Sequence, residues 1–466
     1  MLFNSLSFLY VFLPITYFIY MLLTRKTQRY VWLTITGYVF YGFWNYKFCF
    51  LMLFSTLVSY FAGLGFLRWK DDARMKKLCL VLPITVDLSL LGFFKYSNFT
   101  LDNLGRLFSW LGIHAQPQHL DIILPVGISF YTFHTISYIV DSYRGVVKPT
   151  RNFFEFACYV SLFSQLVAGP IVRFAQVEKD LEDIDKYKTT KNLSMAWSFF
   201  CIGIIKKVLI ADSLQLIIDP ALKDYASLST LDAWLCMLGY SYQIYFDFSG
   251  YSDMAVGLGH LFNIRIPQNF NSPYKAVNIS DFWRRWHISL SSCLRDYLYI
   301  PLGGNKYGEV MAYRNLLLTM ILGGLWHGAN WVFIVWGVYH GGLLAINRAM
   351  KDSKFELPVI AQRLWTFFLV LVGWVFFRST DMTMANAILK KMFGVVTGPV
   401  EHTIPGEAGL IVCLLIAALV AHFARNTFEL KHDWHPAAAF GIVTLFLVSM
   451  LVITSGHPSP FLYFQF

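Results

Sequence analysis

Two histidines occur in segments whose residue types are suited to chemistry. His327 lies in the sequence GGLWHG, and His287 lies in the sequence FWRRWH. Histidine titrates near neutral pH, so a neutral imidazole can accept a proton from a hydroxyl or a thiol. Both segments lie in a strongly apolar chain, where each ionisable group opposes membrane insertion by roughly 2.5–3.5 kcal/mol. We therefore predict a reaction centre that contains both histidines.

The surroundings of His327 favour a role as general base. Gly323, Gly324 and Gly328 allow a close approach of neighbouring backbone and leave a gap beside the imidazole. The alternative interpretation is a packing histidine that bonds to a neighbouring carbonyl group. Ionisable residues within membrane segments are functional more often than not, which favours the general base.

His287 lies among cations and tryptophans. Arg284 precedes it by three residues, so both side chains share one face of a helix. Arg284, Arg285 and Arg295 are candidates to bind phosphate or carboxylate, because the guanidinium fork suits both anions. An interfacial helix that uses arginine and tryptophan as lipid-headgroup anchors explains the same residues, and the sequence leaves this alternative open.

Two carboxylates, Asp247 and Asp253, occur in the apolar sequence YFDFSGYSD. Buried acids need partners, so we expect one of them to pair with an arginine of residues 284–295 or to orient a histidine. A purely structural ion pair is the alternative and the more common use of such residues. Lys206 and Lys207 are interpreted as snorkelling lysines at a helix end.

The remaining polar candidates carry weaker signals. Asn330, which follows the GGLWHG sequence, is a candidate supporting polar group. His134 and His340 are isolated on apolar faces and are predicted to be satisfied packing residues. His432 and His435 are spaced like a metal pair, but no further ligands accompany them. We therefore expect no metal site.

The composition is that of a membrane protein. Of the 466 residues, 56% are hydrophobic and 14% are charged, whereas soluble domains contain about 25% charged residues. The aromatic share of 18% suits many membrane–water interfaces, where Trp and Tyr anchor helices. The net charge of +10 is assigned to basic loops that face the cytoplasm and its anionic lipids, and not to the binding of nucleic acid.

Membrane helices must position these residues. Stretches long enough to cross a bilayer, about 17–25 residues each, predict an all-α polytopic protein with about ten to twelve crossings or partial crossings in a single domain, residues 1–466. The stretches lie near 7–23, 30–46, 48–67, 78–94, 122–140, 153–171, 194–218, 231–262, 314–347, 361–377, 408–424 and 436–456. Two of them are too long for one crossing, and we expect breaks at Gly250 and at Gly328–Asn330.

Basic residues near the chain ends predict the orientation. Arg25, Lys26 and Arg29 follow the first stretch, and Arg425 and Lys431 precede the last one. Because short cytoplasmic loops carry the excess of Lys and Arg, both termini are predicted to lie on the outer side of the membrane.

Two polar segments interrupt the apolar pattern. Residues 173–192 are predicted to form a solvated charged loop or a short surface helix. Residues 263–313 are basic and aromatic, and their centre, Ser280–Tyr299, is predicted to be one amphipathic helix that begins at an N-cap serine. We expect this helix to lie in the membrane interface on the cytoplasmic side.

At these residues the chain resembles the membrane-bound O-acyltransferase (MBOAT) family, and especially its bacterial branch for acetylation of alginate and other polysaccharides. The densest matches are NISDFWRRWHISLSS and GGLWHGANWVFIVWGVYHG, and others are MLFNSLSFLYVFLPI, LVAGPIVRF and YFDFSGYSDMAVGLG. The resemblance covers most of the chain. It implies a helical bundle in the bacterial inner membrane, with a tunnel through the bundle and a reaction centre near its middle. Both termini, predicted from the basic residues to lie on the outer side, would then face the periplasm.

The resemblance also implies an activity. Acetyl groups come from a cytoplasmic thioester donor, acetyl-CoA, without a bound cofactor, and leave toward the periplasm. His327 corresponds to the histidine regarded as essential, as general base or transient acyl carrier, and His287 supports donor positioning or acyl transfer. The residues expected to bind the donor are Lys275, Trp283, Arg284, Arg285, Trp286 and Arg295. The expected partners are a periplasmic esterase-like protein whose serine receives the acetyl group, a polysaccharide acceptor and membrane lipids.

Two other functions remain open at the level of sequence. One is a D-alanyl transferase of the same family, which is supplied by a phosphopantetheine carrier protein that docks on residues 266–300. The D-alanylation member of the family shares the pattern DFW-x-RWH-x-SLS with this chain. A transporter of a polymer or an acyl lipid would instead use the buried charges to line its path, without acyl transfer. The transporter leaves the glycine-framed His327 without a purpose, so we favour acyl transfer.

Overall fold

The computed structural model describes residues 1–115, 117–167, 169–187, 189–351, 357–395, 407–456 and 461–462. All regular structure in these residues is helical, which confirms the predicted all-α class. The α-helices are α1 (Leu13–Leu22), α2 (Lys26–Asn45), α3 (Lys47–Arg68), α4 (Ala73–Leu91), α5 (Ser97–Trp110), α6 (Ile128–Arg144), α7 (Phe153–Ser161), α8 (Phe163–Leu166), α9 (Phe174–Glu182), α10 (Leu193–Ile205), α11 (Ser213–Lys223), α12 (Thr230–Leu261), α13 (Ile279–Arg285), α14 (Ile288–Leu294), α15 (Glu309–His327), α16 (Trp331–Ala349), α17 (Val359–Arg378), α18 (Met382–Met392), α19 (Glu407–His422) and α20 (Pro436–Thr454). Short π-helical segments lie at Phe8–Phe12, Gly92–Tyr96, Lys206–Asp212 and Arg295–Tyr299.

Several of these helices are suited to cross a membrane. Within the described ranges, five helical stretches are long and apolar enough to do so: Lys47–Arg68, Ala73–Trp110, Leu193–Lys223, Val359–Arg378 and Pro436–Thr454. Two shorter apolar helices lie at Phe8–Leu22 and Ala408–His422. The chain is therefore polytopic, and the higher number of about ten to twelve crossings stays a prediction.

The helices group into two compact units. Unit 1 consists of Met1–Leu193 and Leu258–Pro267, and unit 2 consists of Ser194–Gly257 and Gln268–Phe466. Each unit has its own buried core of aromatic and aliphatic side chains. The single domain over residues 1–466 stays a prediction.

Helices of unit 1 approach each other closely and share a buried carboxylate. Asp87 of α4 accepts hydrogen bonds from Ser55 of α3 (2.6 Å) and from Thr135 of α6 (2.7 Å), which ties the three helices together. A Cβ atom on Gly37 of α2 would lie only 1.9 Å from the carbonyl oxygen of Ser161 in α7. Only glycine allows this contact between α2 and α7.

The charged segment 173–192 contains the predicted short helix, α9. It is only partly solvated, because its apolar side chains are buried: Phe174, Val177, Leu181 and Ile184. Arg29 is also buried, and its guanidinium donates hydrogen bonds to the carbonyl oxygens of Ile184 and Tyr187. The segment is therefore fastened to unit 1 by a side chain from α2.

The long helix α12 runs without interruption from Thr230 to Leu261. The predicted break at Gly250 is wrong. A Cβ atom on Gly250 would lie 2.7 Å from the carbonyl oxygen of Gly203 in α10, and one on Gly203 would lie 2.6 Å from the carbonyl oxygen of Gly250. The glycine therefore serves close packing of two helices in unit 2 and does not interrupt its own helix.

Candidate active site

His327 is the last residue of α15, and α16 begins four residues later. Asn330 caps α16, because its side chain accepts a hydrogen bond from the backbone N–H of Val332 (3.3 Å). The same side chain donates a hydrogen bond to the carbonyl oxygen of Thr380 (2.7 Å). The predicted break at Gly328–Asn330 is confirmed, and the side chain of Asn330 stabilises this break through these two hydrogen bonds.

Glycines bring α15 and α16 into backbone contact beside His327. A Cβ atom on Gly324 would lie 2.2 Å from the carbonyl oxygen of Phe333, and one on Gly337 would lie 2.5 Å from the carbonyl oxygen of Met320. A larger residue at either position would force the helices apart. The predicted close approach of backbone near His327 is thus confirmed.

Aromatic rings from three helices surround the imidazole of His327. Its ring centroid lies 5.0 Å from that of Trp326, 5.2 Å from that of Trp336 and 5.1 Å from that of Phe377. His327 is 6% exposed. An enclosed site of this kind excludes bulk water and strengthens electrostatic interactions with a bound reactant.

His287 lies at a break in the helix predicted for Ser280–Tyr299. The chain forms α13, leaves helical geometry at Trp286, and resumes as α14 with His287 in the left-handed conformation (φ 43°, ψ 55°). The single amphipathic helix is therefore wrong. Its N-cap also differs from the prediction, since Asn278, and not the serine, accepts a hydrogen bond from Asp281 (2.9 Å).

Asn269 orients the imidazole of His287, and sequence reasoning missed it. Its side-chain oxygen accepts hydrogen bonds from the backbone N–H (3.2 Å) and the hydroxyl (2.9 Å) of Ser289, and it lies 3.1 Å from Nδ1 of His287. Because a backbone N–H only donates, this Asn269 atom is the oxygen, so Nδ1 carries the proton in the neutral ring. Nε2 is then the basic nitrogen of His287.

Both histidines belong to one aromatic cluster of unit 2. The ring of Trp326 lies 6.3 Å from that of His287 and 5.0 Å from that of His327. The ring of Phe248 in α12 lies 4.7 Å from the imidazole of His287. The structure therefore brings together two imidazoles that are separated by 40 positions in the chain.

Two of the candidate donor-binding arginines share one carboxylate. Arg285 donates a hydrogen bond from Nε to Asp281 at 2.9 Å, and its side chain is 32% exposed. Arg284 lies 3.5 Å from the same carboxylate and is 70% exposed. Arg284 is therefore the more available of the two cations.

The other predicted donor-binding residues differ in their surroundings. Lys275 donates a hydrogen bond from Nζ to the carbonyl oxygen of Ala424 (2.5 Å). Arg295 bonds its neighbour Asp296 (2.7 Å) and is 63% exposed. The remaining two, Trp283 and Trp286, lie in the aromatic cluster.

The two carboxylates of α12 pair with lysines. Asp247 lies 2.5 Å from Nζ of Lys207, and Asp253 lies 2.6 Å from Nζ of Lys206. Pairing with an arginine of residues 284–295 is therefore wrong, and the structural ion pair is confirmed. The snorkelling lysines are also wrong, because the side chain of Lys207 is only 2% exposed.

A π-helical segment, Lys206–Asp212, supplies these lysines. The i to i+5 spacing of a π-turn places Asp212 beside Lys207, at 2.7 Å. Asp247 also accepts a hydrogen bond from the backbone N–H of Leu462 (3.0 Å). The result is a buried ionic cluster of one ammonium and two carboxylates next to the residues that pack on His287.

Two further histidines are buried but not satisfied. His134 and His340 are 0% exposed, and neither ring nitrogen of either residue has a hydrogen-bond partner in the described part of the chain. The prediction that both are satisfied packing residues is therefore wrong. The apolar sequence around them indicated burial but contained no signal for the missing partners.

The membrane-crossing helices and the buried histidines define a polytopic membrane protein with an enclosed candidate reaction centre. The chain belongs to the MBOAT, membrane-bound O-acyltransferase, family, whose model matches residues 147–384. It is 40% identical to the "Probable alginate O-acetylase AlgI" of Pseudomonas putida over an alignment of 493 positions, gaps included, that covers all of both chains. It is 36% identical to the "Peptidoglycan O-acetyltransferase" of Helicobacter pylori over an alignment of 522 positions, which covers all of this chain and 98% of that protein.

A relative with a different activity matches a smaller part. The chain is 30% identical to the "Teichoic acid D-alanyltransferase" of Bacillus subtilis over an alignment of 269 positions, which covers 56% of this chain and 68% of that protein. The predicted family is confirmed, and the chain is a multi-pass membrane enzyme of the acyltransferase class. The full-length similarities place it with the O-acetyltransferases of the family.

Proposed function

We propose that this enzyme takes acetyl from cytoplasmic acetyl-CoA and delivers it across the bacterial inner membrane to a periplasmic esterase-like partner, which acetylates an extracellular polysaccharide. The similarity over the full length to proteins named as alginate and peptidoglycan O-acetyltransferases carries this proposal. The enclosed position of His327 supports it, because acyl transfer requires exclusion of water from the thioester. Both termini lie on the periplasmic side, and a tunnel through a single helical domain joins the two faces.

In this mechanism His327 acts as the general base. It accepts the proton of the serine hydroxyl of the partner while the serine oxygen attacks the thioester carbonyl carbon. The new ester forms, the carbon–sulfur bond breaks, and the proton leaves with the thiol of coenzyme A. His287, held by Asn269, supports the positioning of the donor.

The exposed guanidinium of Arg284 fits the role of a cytoplasmic contact for the donor phosphates. Arg285, Lys275 and Arg295 already have protein partners and contribute as surrounding positive charge. The amphipathic α13 segment then lies on the cytoplasmic side, where a phosphate-bearing donor arrives.

The proposal is tested with inside-out membrane vesicles that contain the partner protein and receive labelled acetyl-CoA. We expect the wild type to transfer label, and His327→Ala to lower the rate by about 10²-fold or more, as for loss of a general base. His114→Ala is the matched control, because His114 is exposed and lies outside the aromatic cluster. Transfer at the wild-type rate by His327→Ala would overturn the assignment of His327.

The same vesicles separate the two alternative functions. A D-alanyl transferase would take no label from acetyl-CoA and would require a charged carrier protein. A transporter would move its cargo without acyl transfer, and loss of His327 would leave the flux unchanged.

A further inference from the structure

His340 of α16 is a buried imidazole that the mechanism above does not use. Neither of its ring nitrogens has a hydrogen-bond partner among the described residues, and the same holds for Nε1 of Trp336 and of Trp283. The ring of His340 lies 4.8 Å from that of Trp336 and 5.4 Å from that of Trp283, and the two indoles lie 5.6 Å apart. We call these three residues the His340 cluster.

Three adjacent unsatisfied rings need a physical reason. Buried polar side chains nearly always have a protein or water partner, and a missing partner destabilises the fold. Phenylalanine would fill the same apolar space as His340 without this cost. The nitrogen atoms of the His340 cluster are therefore explained by a hydrogen-bonded ligand better than by packing.

The chemistry of the cluster indicates what such a ligand must contain. Indole N–H groups only donate, and a neutral imidazole has one donor and one acceptor. The rings that contact His340 are all uncharged: Phe282, Trp283, Trp336 and Tyr339. A phosphate would need a cation to neutralise it, and these four rings supply none. The cluster fits a neutral group with carbonyl oxygens and an amide N–H.

The cluster lies next to His327 and packs against α17. The ring of Trp336 contacts the imidazole of His327 (5.2 Å) as well as that of His340. On the other side, a Cβ atom on Gly373 of α17 would lie 2.7 Å from Nε2 of His340. The imidazole of His340 in α16 is therefore packed against Gly373 of α17.

We propose that the His340 cluster binds an amide of the flexible arm that carries the acyl thioester, and so holds the thioester next to His327. This inference rests on the proposed function, because it requires an acyl thioester donor with an amide near the sulfur. His340 then touches the donor and determines which thioesters the enzyme accepts.

The test compares two small donors in detergent-purified enzyme that is mixed with the periplasmic partner protein, whose serine accepts the acetyl group as the thiol is released. S-acetyl-N-acetylcysteamine has an amide near its sulfur, and an S-acetyl alkylthiol of equal length has none. We measure kcat/KM for thiol release from each, and the ratio between the two is the amide preference. We expect the wild type to prefer the amide-bearing donor about fivefold or more, and His340→Phe to abolish this preference mainly through KM.

Three variants make the test decisive. His340→Gln keeps hydrogen-bonding capacity and should retain part of the preference. Trp283→Phe changes a half-buried position and should reduce the preference, so it tests the cluster even if His340→Phe does not fold. His134→Phe is the matched control, because His134 is equally buried and unsatisfied but packs on Tyr159 of unit 1. His134→Phe should leave the preference unchanged.

Two results would overturn the inference in distinguishable ways. A folded His340→Phe enzyme with the wild-type preference, or an unchanged preference in Trp283→Phe, would refute binding by the His340 cluster and leave the proposed function intact. Wild-type enzyme that releases thiol from neither donor nor from acetyl-CoA would refute the proposed function together with the inference.

Discussion

The buried ionic cluster of unit 2 makes a quantitative prediction about stability. Lys207 lies 2.5 Å from Asp247 and 2.7 Å from Asp212, and the three side chains are 2%, 2% and 11% exposed. Replacement by Lys207→Met leaves two buried carboxylates without their shared cation. Removal of one partner from a buried ion pair costs about 3–5 kcal/mol in the free energy of unfolding.

Replacement of one carboxylate should cost less. Asp247→Asn leaves Lys207 with Asp212, which is a balanced pair of one positive and one negative charge. The asparagine oxygen can still accept the hydrogen bond from the backbone N–H of Leu462. Weakening of a charged hydrogen bond costs about 1.5–3 kcal/mol at most, so Lys207→Met should be the more destabilising change.

The assay is thermal unfolding of detergent-purified protein, followed by tryptophan fluorescence. Lys186→Met is the control, because the Lys186–Asp183 pair of unit 1 has the same 2.7 Å separation but a 62% exposed ammonium. Exposed pairs contribute little, so this variant should melt with the wild type. The reasoning would be refuted if Lys207→Met had the melting temperature of the wild type, or if Asp247→Asn lowered the melting temperature more than Lys207→Met does.

Two further predictions concern the surroundings of the histidines. Gly324→Ala places a Cβ atom 2.2 Å from the carbonyl oxygen of Phe333 and should lower the free energy of unfolding by about 1–3 kcal/mol. Gly342→Ala in α16 is the control and should leave stability unchanged, because a Cβ atom there would meet no neighbouring atom within 4 Å. Equal melting temperatures of the two variants would contradict this prediction. Asn269→Ala removes the acceptor that fixes the tautomer of His287 and should lower acetyl transfer by roughly tenfold or more, by analogy with loss of other imidazole-orienting partners. An unchanged transfer rate in folded Asn269→Ala would show that His287 needs no fixed orientation.

Features with local causes could be predicted from the sequence. The break after His327 follows from Asn330, whose short side chain caps the next helix, and from Gly328 before it. The close packing of α15 on α16 follows from glycine spacing around the same histidine. The family resemblance depends on these same segments, which explains why it was confirmed.

Features with distant causes could not be predicted. The helix expected through His287 is interrupted because residue 269 bonds across to it: Ile288 donates its backbone N–H to the carbonyl oxygen of Asn269 (2.9 Å). Likewise, Lys206 meets Asp253 from 47 positions away. The sequence predicts a helix break at Gly250 where the structure has none, because a glycine that packs against another helix and a glycine that breaks its own helix have the same local sequence signal.

The backbone at His287 has a consequence for protein engineering. A left-handed conformation such as φ 43° costs an L-residue roughly 1–2 kcal/mol, and glycine avoids most of that cost. His287→Gly would remove this strain, but it would also empty the space that a fully buried imidazole fills. Deletion of a buried ring costs about 3–5 kcal/mol, which exceeds the strain that is relieved, so His287→Gly should lower the stability of the protein. A search for thermostable variants should therefore change other positions and hold position 287 constant.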